Sequence, residues 1–177
     1  MRPRDEGPLR RDTGARAVSE AVTAAAGCLG CDLTAGRTPL PGGEVHRKKG
    51  WVVEHCIGPL GAGTLIVKPL RHVTRLADLL PEEALALGPL LREVSAAVTR
   101  ELEADQTYIC QWSHAGWTPG HLHFVVQPAW NSQREHYERP GPFLQTQMFE
   151  EAAPLDTQEV AAVCERLRAR LSGASRA

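Results

Sequence analysis

Two short patterns in the chain could carry chemistry. One is a pair of imidazoles in Gly120-His121-Leu122-His123-Phe124-Val125-Val126-Gln127-Pro128, and the other is the Cys-x-x-Cys of Cys28 and Cys31, flanked by glycines. The alternation of apolar residues predicts a strand over His121–Gln127. Successive side chains of a strand point to opposite faces, so Leu122, Phe124 and Val126 form a core face while His121, His123 and Val125 share the other. The two rings then lie about 7 Å apart at ~3.3 Å per residue. Imidazoles at this spacing can bind one metal together, divide into ligand and nucleophile, or lie on a solvated face. Cys28 and Cys31 can be a redox pair, a surface accident or a metal knuckle. The redox reading wants a preceding strand and a βαβ setting, and the sequence shows neither. A zinc knuckle wants two more thiolate or imidazole ligands.

The elements that must position these groups follow from periodicity and breakers. Residues 1–16 are rich in Arg, Pro and Gly without a period and read as a flexible tail. Ala17–Ala26 reads as a short helix ending at Gly27, and residues 34–50 carry the glycines and prolines of turns. Trp51–Ile57 and Thr64–Lys68 read as a hairpin of two strands. The main helix is expected over Pro81–Ala104, with Leu87, Leu91, Val94, Val98 and Leu102 on its buried face and a kink at Gly88-Pro89. Gln106–Ser113 is a further strand, and the loop after it leads to His121. Residues 128–154 look polar and irregular. A last helix starts at Asp156 or Thr157, with Glu159 completing a capping box and Val160, Val163, Leu167 and Leu171 as its buried stripe. Paired strands with one long helix between the pairs and another at the end predict an α+β domain with a mainly antiparallel sheet.

Composition bounds the rest. A chain of 177 residues can bury one ordinary core, and 20 Lys+Arg against 21 Asp+Glu leave a net charge of −1, which argues against general nucleic-acid binding. No run approaches the ~18 apolar residues of a membrane span. The arginines of MRPRDEGPLRRD have no apolar run behind them, so no secretory signal is read and a cytoplasmic protein is expected. Five cysteines, an odd number, do not suggest a disulfide framework; Cys56, Cys110 and Cys164 read as small core residues. His136 reads as a solvated loop residue. Ser113, His114, Thr118 and nearby backbone amides could hold a phosphate without a large positive field. Trp130 and Arg134, in a segment that could close as a lid, are further candidate contacts.

The order of a Cys-x-x-Cys, "IVKPLRHV" leaving a strand, "LADLLPEE" opening a helix and "GHLHFVVQP" on a late strand resembles the histidine triad superfamily, which includes the galactose-1-phosphate uridylyltransferases. The resemblance covers roughly residues 28–128, taken as the core of a domain over 17–128 with a loop-plus-helix extension over 129–177. It implies a histidine-triad-like fold and a nucleotide as the small-molecule partner. It also implies hydrolase or nucleotidyltransferase chemistry at the α-phosphate through a nucleotidyl-histidine. His123 would be the nucleophile, offering a neutral lone pair near pH 7 as an imidazole titrating near ~6.5 does. A catalytically weak nucleotide-binding protein and a fold-only interaction module are the alternatives. Val125 stands where the family has a third histidine, or glutamine in the uridylyltransferases; losing one such donor costs on the order of 10²–10³ in rate. Gln127 lies about 13 Å beyond His123 in an extended strand at ~3.3 Å per residue, so His114 or Thr118 is better placed to restore the donor. Cys56 takes the place of a ribose-binding aspartate, leaving Glu54 as a partial substitute, with Ile57 beside it. By the same resemblance Cys28, Cys31, His72 and His121 would hold a structural zinc, with His46, His55 and His114 as substitutes, and a homodimer is an assembly open to the chain.

Overall fold

The computed structural model describes residues 24–113 and 120–174. Its centre is a five-stranded antiparallel sheet of β1 (Glu44–Lys48), β2 (Trp51–His55), β3 (Leu65–Pro69), β4 (Gln106–Cys110) and β5 (Phe124–Ala129), in the spatial order β1-β2-β3-β5-β4. Four helices accompany it: α1 (Leu29–Thr34), α2 (Pro81–Leu102), α3 (Pro142–Glu151) and α4 (Thr157–Ala174). The α+β class and the antiparallel sheet are therefore as the sequence predicts.

The helices divide between the two faces of the sheet. On the first face α2 and α4 pack over Val45, Trp51, Val53, Leu65, Val67, Phe124 and Val126 in one apolar core. The α4 stripe of Val160, Val163, Leu167 and Leu171 is buried as expected, each side chain contributing about 1.5–3 kcal/mol of burial. Its start is capped by the Asp156 carboxylate, which accepts from the amides of Gln158 at 2.8 Å and Glu159 at 3.3 Å. In α2 the stripe is rotated from the expected one. Leu90, Val94, Ala97 and Val98 are buried, while Leu87, Leu91 and Leu102 pack at the margin. The helix runs through Pro89 without a break in its assignment, on a turn where Gly88 and Pro89 are exposed.

The second face is covered as well, where the sequence left a solvated face open as one of three readings. Val125, Cys56, Leu60 and Ala129 meet Leu144 and Met148 of α3 in a second apolar cluster. That helix lies in the stretch read as irregular, because its first turn is Pro142-Phe143 and only Leu144 and Met148 mark its inward side. Strand β1 is a further addition, within residues read as turns; it is an edge strand with a bulge after Glu44 and only Val45 fully buried. Of the helix expected over Ala17–Ala26, the part up to residue 23 lies outside the described residues, and Ala26–Gly27 form a turn before Cys28. Among the described residues no helix is long and apolar enough to cross a membrane.

Candidate metal centre and active site

Three segments distant in sequence bring Cys28, Cys31, His72 and His121 together, with one ligand atom from each residue lying within 4.8 Å of the others. Cys28 caps the start of α1 and Cys31 follows one turn on, so both thiols face the sheet. His72 lies just beyond β3. Its neighbour Arg71 is tied to Glu83 of α2 at 2.8 Å and to the Asp78 carbonyl at 2.9 Å, and Glu83 also accepts from the Leu80 amide at the helix start. The Leu122 amide donates to the Val73 carbonyl at 2.6 Å, which draws His121 alongside His72. The two rings meet edge to face with centroids 5.3 Å apart.

The donor geometry suits a tetrahedral ion. His121 Nδ1 is 3.4 Å from Cys28 Sγ and 3.6 Å from Cys31 Sγ, and His72 Nδ1 is 3.4 Å from Cys31 Sγ. Zinc bonds of ~2.3 Å to sulfur and ~2.05 Å to nitrogen at tetrahedral angles require a sulfur-to-nitrogen edge of about 3.6 Å. The other nitrogen of His121, Nε2, carries the proton and donates to the Pro69 carbonyl at 3.0 Å, fixing the tautomer that leaves Nδ1 as a ligand. Burial pushes this imidazole down to about 4, which keeps it a neutral ligand near pH 7, and pushes the Cys31 thiol up, a charge cost that a bound cation would offset. Zinc is therefore compatible with the residues present. Gly30 is part of the fit: a Cβ there would stand 2.8 Å from Cγ and Nδ1 of His121.

His123 lies beside this cluster and is one of the residues lining a pocket of about 300 Å³. The sequence places both histidines within a strand, but the ladder begins only at Phe124, after an extended lead-in whose Leu122 amide is turned toward Val73. His123 Nδ1 donates to the His121 carbonyl at 2.8 Å. A carbonyl only accepts, so Nδ1 holds the proton and Nε2 keeps its lone pair. The pocket lies between α1 and the α3-covered cluster: Gly27, Leu29, Gly30 and Leu33 form one wall, and Cys56 and Ile66 belong both to the pocket and to the second core. Glu54 and Ile57 also line it. The Glu54 carboxylate is 2.5 Å from the Lys68 ammonium and accepts from the Thr34 hydroxyl at 3.1 Å, while Lys68 donates to the Gly30 carbonyl at 2.6 Å. This buried pair therefore braces α1 against the sheet. The sequence reading passed over Lys68, Gly30 and α3, since neither residue type nor period marks them.

The remaining candidates stand apart from the thiol-imidazole cluster or fall outside the described residues. The Ser113 hydroxyl accepts from the Gln111 side-chain amide, and Ser113 is not among the described residues lining the pocket. His114 and Thr118 lie outside the described residues. Among the substitute ligands, His55 is committed to the Cys56 carbonyl at 2.7 Å and the Gly63 amide at 2.9 Å, and His46 is on β1 away from the thiols. Trp130 anchors instead of contacting the pocket, its indole donating to the Leu102 carbonyl at 3.2 Å. His136 is exposed and bonded to Glu151 at 2.9 Å, as a solvated residue is. Cys56 and Cys164 are buried, and Cys110 is half-buried beside Gln145.

No protein-family model matches the sequence, and no curated protein matches it either. Solved structures do. A zinc-bound histidine triad family protein from Mycobacterium smegmatis aligns at a TM-score of 0.61 and 22% identity, over 85% of this chain and 96% of that one. A Hit-like protein from Bartonella henselae, described as involved in cell-cycle regulation, aligns at 0.61 and 19% identity over 78% and 92% of the two chains. A hypothetical histidine triad nucleotide-binding protein from Sulfolobus tokodaii aligns at 0.63 and 15% identity over 82% and 93%. With its antiparallel sheet, its long helix between strand pairs and a thiol-imidazole cluster beside a late strand, the chain has the fold of the histidine triad proteins.

Proposed function

We propose that the protein binds a nucleotide and attacks its α-phosphate through His123, acting as a hydrolase or nucleotidyltransferase on a phosphoanhydride or phosphoramidate. The observation that carries this reading is the tautomer of His123: its Nδ1 proton is held by the His121 carbonyl, which leaves Nε2 with its lone pair on a residue that lines the pocket. In the reaction Nε2 forms a bond to phosphorus while the bond to the leaving oxygen or nitrogen breaks with its electron pair. The ring gains positive charge, and the carbonyl on the Nδ1 proton steadies it. Water, or the phosphate of an acceptor, then displaces the histidine and restores the neutral ring.

Cys28, Cys31, His72 and His121 would hold zinc, as the zinc-bound M. smegmatis neighbour supports. Four protein ligands leave no open position, so the ion's contribution is structural. Its protein frame fixes the His121 carbonyl and with it the orientation of His123. Ser113, and His114 and Thr118 in the adjoining loop, are the proposed phosphate contacts, and Glu54 and Ile57 the nucleoside side of the pocket. We read residues 17–128 as the catalytic unit, 129–177 as its extension, and the cytoplasm as the place of action.

A second reading is a nucleotide-binding protein with weak turnover. It is favoured by the second core, because Val125 is 5% exposed in an apolar cluster and offers the phosphate no donor. Incubation with a labelled nucleotide, quenching in denaturant at alkaline pH so that a bond between histidine and phosphorus survives, and peptide mapping at the same pH separates the two. The catalytic reading expects an acid-labile nucleotidyl adduct on His123 that His123→Asn abolishes. Stoichiometric binding without an adduct across adenine, guanine and uracil nucleotides would establish the second reading.

A further inference from the structure

We infer that the pocket beside His123 does not read the sugar hydroxyls of its ligand: it selects a flat apolar group by shape and treats ribonucleotides and 2′-deoxyribonucleotides alike. This rests on the nucleotide reading and concerns the same pocket.

The polar side chains lining the pocket among the described residues are Glu54, His55, Lys68, His121 and His123. A sugar diol is recognised by an acceptor with free lone pairs or by a free donor. Glu54 is the one carboxylate there, and both of its oxygens are engaged, one with Lys68 at 2.5 Å and the other with the Thr34 hydroxyl at 3.1 Å. Its side chain and that of Lys68 are 3% and 2% exposed. To turn toward a diol, the carboxylate would leave a buried ammonium unpaired, which costs more than a hydroxyl's hydrogen bond returns. His55 has both nitrogens spent, Nδ1–H on the Cys56 carbonyl and Nε2 on the Gly63 amide. His121 is spent on Pro69 and the thiols. The Gly58 amide, which follows the lining residue Ile57, donates to Cys56 Sγ at 3.3 Å.

That leaves the third N–H of Lys68, on an ammonium 2% exposed and held between Glu54 and the Gly30 carbonyl, and His123 Nε2, which the chemistry reserves for phosphorus. The remaining side-chain lining is apolar: Leu29, Leu33, Cys56, Ile57 and Ile66. Among the described residues such a chamber rewards burial of a planar apolar surface and offers a hydroxyl no exposed, unengaged side-chain partner other than His123.

Calorimetric titration of the full-length, zinc-loaded protein with AMP, 2′-deoxyAMP and ribose 5-phosphate tests this. The two nucleotides are expected to bind with Kd values within about threefold of each other, and ribose 5-phosphate at least tenfold more weakly. A preference of tenfold or more for AMP over 2′-deoxyAMP, or ribose 5-phosphate binding as tightly as AMP, would overturn the inference and leave the nucleotide reading standing. No binding of any of the three, nor of the uracil and guanine nucleotides, would overturn both.

Discussion

Replacing Val125 with histidine restores the three-histidine pattern on paper, and the structure says that it will not restore function. Val125 is paired across the sheet with Ile66 on β3 and Cys110 on β4, and shares its cluster with Leu144 and Met148 of α3. An imidazole there loses the burial of the valine side chain, about 1.5–3 kcal/mol. It also strands a polar ring among apolar neighbours for about 1–3 kcal/mol. The sum, about 2.5–6 kcal/mol, is a large share of the ~5–15 kcal/mol by which domains are stable. For a chain of this length it corresponds to a fall in melting temperature of roughly 5–24 °C at ~2–4 °C per kcal/mol. Thermal unfolding by circular dichroism gives the stability, and the rate of nucleotide turnover gives the function. Val125→Thr, nearly the same shape with one hydroxyl, separates polarity from size and is expected to cost less. A Val125→His protein that melts within 2 °C of the wild type and turns over nucleotide at least tenfold faster would refute the claim that α3 seals this position.

Three further outcomes are expected. Gly30→Ala forces a Cβ to 2.8 Å from the His121 ring, so metal retention in chelator competition should fall about 10–100-fold, as it does when a ligand's supporting contact is lost. Burial holds the His55 pKa below its usual value, so below about pH 6.5 the unfolded chain takes up a proton that the folded chain does not; native stability therefore falls as pH drops through that region. Denaturant titrations of His55→Gln against pH should show a lower stability at pH 7 but a shallower decline on the acid side. Glu101 joins α2 to Arg166 and Arg170 of α4 at 2.9 Å each, yet those arginines are 50% and 42% exposed; Glu101→Ala should cost under about 1 kcal/mol by urea denaturation.

Elements with a strong period were legible in the sequence, and those governed by distant contacts were not. The α4 stripe and the antiparallel hairpin of β2 and β3 stand where alternation and spacing put them. Strand β1 escaped because an edge strand needs little apolar surface: Val45 alone is fully buried among Glu44, His46, Arg47 and Lys48. Helix α3 escaped because two inward apolar residues over ten positions make no pattern. The same division runs through the site. Cys28, Cys31, His72 and His121 announce themselves by residue type, and the chain gathers all four. The buried Lys68–Glu54 pair and the need for glycine at position 30 arise only when α1 is pressed on the sheet. Val125 illustrates the limit most sharply: its departure from the triad is plain in the sequence, whereas the second apolar core that encloses it depends on a helix some twenty residues further on.

The metal cluster also orders events during synthesis. Cys28 and Cys31 emerge early, yet Cys28 meets His121 across 93 residues and Cys31 meets His72 across 41. At ~5–20 residues per second the first thiol waits about 5–19 s for its imidazole partner. Throughout that interval the two neighbouring thiols are open to oxidation or to capture by other metals, because neither the sheet nor the second histidine is yet present to shield them. The cluster thus cannot close until β1 to β4 and α2 have all been made, and a nascent chain stalled before residue 121 carries both thiols without it.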